Sequence, residues 1–76
     1  MTRRIPVVTG AELVRALLRV GFIVKGQKGS HVHLRRESDS RRVTVPVHAG
    51  RDVPVGTLKG ILKDAGVTTE QLIDLI

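Results

Sequence analysis

The chain has 76 residues, room for one domain spanning 1–76, and its lack of cysteine excludes disulfides and thiolate metal sites. Its 13 Lys and Arg against 7 Asp and Glu give a net charge of +6, a surplus that attracts polyanions such as nucleic acid or an acidic protein. Its apolar runs are too short to span a bilayer, and the first six residues carry no apolar stretch of a secretion signal, so the expected setting is soluble and cytoplasmic.

Residues 1–8 read as a lead-in. Thr9-Gly10-Ala11-Glu12 is a capping box, with Thr9 at the N-cap, and Val8 and Leu13 stand at the positions of a hydrophobic staple. Leu13, Val14, Leu17 and Leu18 line the apolar face of this first helix, which Gly21 ends.

From Phe22 the apolar period falls to two, and three short strands are predicted over 22–25, 31–36 and 41–47. A Gly-flanked turn over 26–30 and a Ser/Asp-rich turn over 37–40 join them into an antiparallel meander. Alternation places Val32, Leu34, Val43, Val45 and Val47 on one face and His31, His33, Arg35, Arg42 and Thr44 on the other. Lys25, Lys28 and Arg41 fall at the turns and edges beside that polar face.

Pro54 suits the first turn of a second helix, with Leu58, Ile61, Leu62 and Ala65 buried, Lys59 and Lys63 outside, and Gly66 as its stop. Gly60 inside it costs about 1 kcal/mol relative to Ala, which points to a close packing contact. Thr68 and Gln71 form a second capping box, Val67 staples to Leu72, and Leu72, Ile73 and Ile76 return to the core. The order α-β-β-β-α-α is an α+β fold, one three-stranded antiparallel sheet with its helices on one face.

The polar face carries the chemistry. Among cations an imidazole is favoured as the neutral base, able to take a proton from a ribose 2′-hydroxyl or, once charged, to give one to a leaving 5′-oxygen. His31 is the first choice, because Gly29 and Ser30 before it let the backbone approach a phosphate. Lys25, Lys28, Gly29, Ser30, Arg35 and Arg42 are the expected phosphate and RNA contacts. His33 is a solvated or auxiliary neighbour, and His48 reads as a hydrogen bonder that fixes its loop. An ordinary exposed strand histidine is the plain alternative for His31. Three histidines are the right type for zinc, but cationic surroundings and no carboxylate on the face argue against any metal or other cofactor. Phe22 is the sole aromatic and belongs to the core, so bases find no stacking platform. Contact therefore falls on phosphates and 2′-hydroxyls, with a steep salt dependence.

The run Gly21-Phe22 followed by Gln27-Lys28-Gly29-Ser30-His31 resembles the HicA (YcfA-like) toxin family. The likeness continues through Arg42-Val43-Thr44-Val45-Pro46-Val47-His48, then Pro54-Val55-Gly56-Thr57-Leu58 and Ile61-Leu62-Lys63-Asp64-Ala65-Gly66, and covers roughly 9–76. It implies a double-stranded-RNA-binding-like fold and a metal-independent endoribonuclease of mRNA, the toxin of a type II toxin–antitoxin pair. It further implies a single catalytic histidine, in Gly-Ser-His and here His31, and a HicB-type antitoxin that covers the active surface. His33, where an apolar or polar residue is commoner, and Gly60 depart from the family pattern. Two other readings share the same face: a non-catalytic RNA-binding module, and an interaction domain for an acidic protein.

Overall fold

Thr9 opens the first helix with both halves of its capping box in place. Glu12 N donates to Thr9 Oγ1 at 3.2 Å, and Thr9 N donates to Glu12 Oε1 at 2.9 Å. In a computed structural model describing residues 4–76, this helix, α1, runs Gly10–Arg19 and is followed by β1 (Phe22–Lys28), β2 (His31–Arg36) and β3 (Arg41–Pro46). Two helices, α2 (Val55–Ala65) and α3 (Thr69–Leu75), complete the order α-β-β-β-α-α of an α+β fold among the described residues. Of the predicted lead-in, residues 1–3 lie outside the described region.

The sheet is antiparallel in the order β1-β2-β3. Val32, Leu34, Val43 and Val45 point to one side and join Leu13, Leu17, Leu58, Leu62 and Leu72 in a single buried cluster. The helices therefore cover that face, and the other faces solvent, an arrangement consistent with the double-stranded-RNA-binding-like fold. Gly21 (φ 95°) and Gly66 (φ 68°) adopt the left-handed backbone that ends α1 and α2.

Several local expectations are corrected. β1 extends to Lys28 rather than stopping at Lys25, because Gly26, Gln27 and Lys28 stay paired with β2 beyond a register shift at Val24/Gly26. The turn shrinks to Gly29 and Ser30. β3 ends at Pro46, and Pro54 is the N-cap of α2 rather than part of its first turn. Leu18 is exposed while Ala16 is buried, and Leu75 packs on the core in place of Ile76. The first swap moves the stripe of α1 by two positions and the second that of α3 by one.

The close approach expected at Gly60 is absent there: a Cβ would meet nothing within 4 Å. It occurs at Gly10 instead. A Cβ on this buried first residue of α1 would meet the carbonyl oxygen of Pro46 and lie 2.8 Å from Val47 Cα. Gly10 thus lets the start of α1 sit against the end of β3.

Two arginines at the far end of the sheet hold the helices down. Arg36 and Arg41 are cross-strand partners on the helix side. Arg36 donates to Val20 O at 3.1 Å and Ala65 O at 3.0 Å, and stacks 4.7 Å from the Phe22 ring centroid. Arg41 donates to Asp64 O at 3.1 Å. Cations at helix C-termini oppose the accumulated carbonyl dipole. Asp39 joins them at 2.8 Å from Arg36 Nη2 and 3.2 Å from Arg41 Nε. The bonds from Arg36 lower the Asp39 carboxyl below its usual range, and the same contact raises Arg36. Arg41 is therefore not beside the polar face as expected.

Candidate active site on the open face of the sheet

Register arranges the open face in three rows across the strands. Ile23, Arg35 and Arg42 form the first, Gly26, His33 and Thr44 the second, and Lys28, His31 and Pro46 the third. Directly paired residues share a face, with Cβ atoms about 5 Å apart. The register shift at Lys25 is what brings Lys28 here. Without it, plain alternation from buried Phe22 would send position 28 to the helix side.

The β2 and β3 residues of these rows line two grooves. The first, of about 450 Å³, is lined by Lys25, His33, Arg35, Arg42 and Thr44 among others. His33 Nδ1 lies 2.9 Å from Thr44 Oγ1, so one ring nitrogen is already engaged. Glu37 reaches back from the β2–β3 turn, 3.2 Å from Lys25 Nζ and 3.9 Å from Arg35 Nε. The expectation of a face without carboxylates is corrected at this edge. Two of the cations chosen for phosphate are held beside an acid of the protein's own.

The second groove, of about 430 Å³, lies at the opposite end and contains His31, Pro46, His48, Arg51, Asp52 and Thr57. His31 is exposed at the first position of β2. Gly29 before it has φ 58°, and Ser30 O accepts from Val47 N at 2.6 Å. That bond carries the β2–β3 pairing one residue past His31 and Pro46. The wall opposite is backbone-built: Arg51 N donates to His48 O at 2.9 Å, and Val53 N donates to Val8 O at 2.8 Å. Among the described residues the only histidine ring in a hydrogen bond is His33, so His48 ties its loop through its carbonyl and not through its ring. The ring is left to the groove.

Of the residues singled out, Lys28, Gly29, Ser30 and His31 therefore cluster at one end, and Lys25, His33, Arg35 and Arg42 at the other. His48 and Arg51, set aside or overlooked, belong with His31. The signal for His48 was present: two residues past Pro46, it shares strand parity with that partner of His31. Among the described residues, Lys28, Arg42 and Arg51 have no ion pair. No group of three His, Cys, Asp or Glu residues stands close enough to hold a metal ion among the described residues. No helix there is long and apolar enough to cross a membrane.

No curated protein matches the chain with significance. A family model described as the HicA toxin of bacterial toxin–antitoxin systems matches residues 10–67, a span running from the first residue of α1 through the histidine groove to two residues past α2. On that match, over more than half its length, the chain belongs to the HicA toxin family of bacterial toxin–antitoxin systems.

Proposed function

We propose that this protein is a metal-independent endoribonuclease that cleaves mRNA, with His31 in acid–base catalysis. The observation that carries the reading is His31 itself: exposed, opposite Lys28 on the open face, and lining a groove together with Arg51. A strand of RNA laid along this face meets cations first. Lys28, Gly29 and Ser30 hold the phosphate nearest His31, and Arg35 and Arg42 take the backbone further along the sheet. In the transition state, negative charge builds on the phosphate oxygens, and cations placed there beforehand stabilise it more than they stabilise the ground state. The imidazole exchanges a proton with the ribose hydroxyl or the leaving oxygen. No aromatic side chain is on the face, which makes the backbone the main point of contact.

A HicB-type antitoxin is the corresponding partner. A surface that binds RNA phosphates also suits an acidic protein, and coverage of the His31 groove blocks cleavage by exclusion.

Purified protein, freed of antitoxin, is incubated with mRNA beside a His31→Ala variant. Cleavage by the parent and its loss in the variant, with fold and RNA affinity retained, are expected. Intact RNA with both proteins leaves a non-catalytic RNA-binding module, and no RNA affinity at low salt leaves an interaction domain for an acidic protein.

A further inference from the structure

Phosphodiester cleavage by a neighbouring hydroxyl needs two proton transfers, and His31 alone supplies one partner. Resting on the nuclease reading above, we propose that His48 is the second acid–base group, paired with His31 across one groove. Both line the same cavity of about 430 Å³. His31 faces Pro46 across the ladder, and the Val47 N to Ser30 O bond extends that pairing toward His48. Neither ring has a hydrogen bond among the described residues, so the nitrogens of both are available to substrate.

The other candidates fit less well. His33 opens on the other groove and has Nδ1 engaged by Thr44. Lys28 is an exposed ammonium, suited to holding charge rather than exchanging protons. Imidazoles exchange protons near neutral pH, and two of them can work on opposite sides of one phosphorus.

In the step itself, one imidazole takes the 2′-hydroxyl proton as O2′ bonds to phosphorus. The P–O5′ bond breaks, and the second ring, entering as imidazolium, gives its proton to O5′. The products are a 2′,3′-cyclic phosphate and a 5′-hydroxyl, and the two rings have exchanged protonation states. Arg51, which lines the same groove beside Asp52, is the cation available there to the phosphate oxygens.

The test compares two RNA oligonucleotides, one ordinary and one with sulfur bridging phosphorus and C5′ at the scissile bond. A thiolate leaves without a proton, so the second substrate removes the need for the acid alone. His48→Ala is expected to cleave ordinary RNA about 10²–10⁴-fold more slowly, with RNA affinity and thermal unfolding unchanged. The sulfur substrate is expected to restore one of His31→Ala and His48→Ala and not the other, which names the acid. His48→Ala cleaving ordinary RNA within a few-fold of the parent overturns the pair while leaving His31 and the nuclease reading intact. Restoration of both variants, or of neither, also overturns it. A parent protein that cleaves neither RNA takes the nuclease reading down, and this inference with it.

Discussion

Lys28 stands directly across the ladder from His31, on the open face of the sheet. The pairing is a product of backbone irregularity, because the extra residue near Lys25 resets which side each later position of β1 faces. A cation is thus placed beside the exposed imidazole from a strand that would otherwise turn it under the helices.

Lys28→Ala is expected to weaken RNA binding for all sequences alike. Its removal lowers the slope of log affinity against log salt by about 0.7, the value for one phosphate contact on a single strand. Titrations of one oligonucleotide at several salt concentrations measure it. An unchanged slope shows that Lys28 touches no phosphate.

Lys25 and Arg35 sit beside Glu37, and that carboxylate repels an incoming phosphate. Glu37→Gln is expected to tighten RNA binding by a few-fold at low salt and to have no effect at high salt, where exposed charges are screened. Equal affinities at low salt show that RNA stays on the His31 side of the sheet.

Gly10 and Gly60 predict opposite outcomes for the same substitution. Gly10→Ala drives a methyl group into the Pro46 backbone and is expected to destabilise by about 1–3 kcal/mol. Gly60→Ala meets open space on a helix and is expected to stabilise by about 0.5–1 kcal/mol. Urea unfolding of the two variants checks both signs.

Acid weakens the fold through Asp39 and Glu12. Hydrogen bonds from Arg36 lower the Asp39 carboxyl from 3.8, and the Thr9 backbone N–H does the same for Glu12 from 4.5. A carboxyl whose folded value lies below its unfolded one contributes fully above the unfolded value and loses that contribution as pH falls through the folded one. Stability is therefore expected to decline below about pH 4.5, and Asp39→Asn and Glu12→Gln each flatten that decline. Thermal melts from pH 6 to pH 2 report it.

Much of this architecture was legible because it obeys local rules. Thr9 with Glu12 and Thr68 with Gln71 marked two helix starts, and both boxes form. The valines at 43 and 45 set the parity of β3, and the open face followed. What escaped depends on contacts distant in sequence. No local pattern announces that β1 skips a beat at Lys25, since the shift is defined only against β2. Arg36 and Arg41 carried a readable hint, being charges at apolar-parity positions, but their carbonyl partners come from α1 and α2. For the site, the Gly-Ser-His run singled out His31 and strand parity past Pro46 carried a signal for His48, yet Arg51 joins them from a loop whose path no spacing rule describes.

The residues before α1 have a role that their position disguises. Val8, 1% exposed, lends its carbonyl to Val53, and Thr9 bridges to Asp52. The rim bearing Arg51 and Asp52 is thus hooked to the front of the chain rather than to the ladder. Peeling residues 4–8 away would remove the Val8 tie to that rim without touching any pairing among the three strands. Integrity of the sheet and integrity of the cleft are therefore two separate quantities in this protein, and a folded spectrum alone does not report the second.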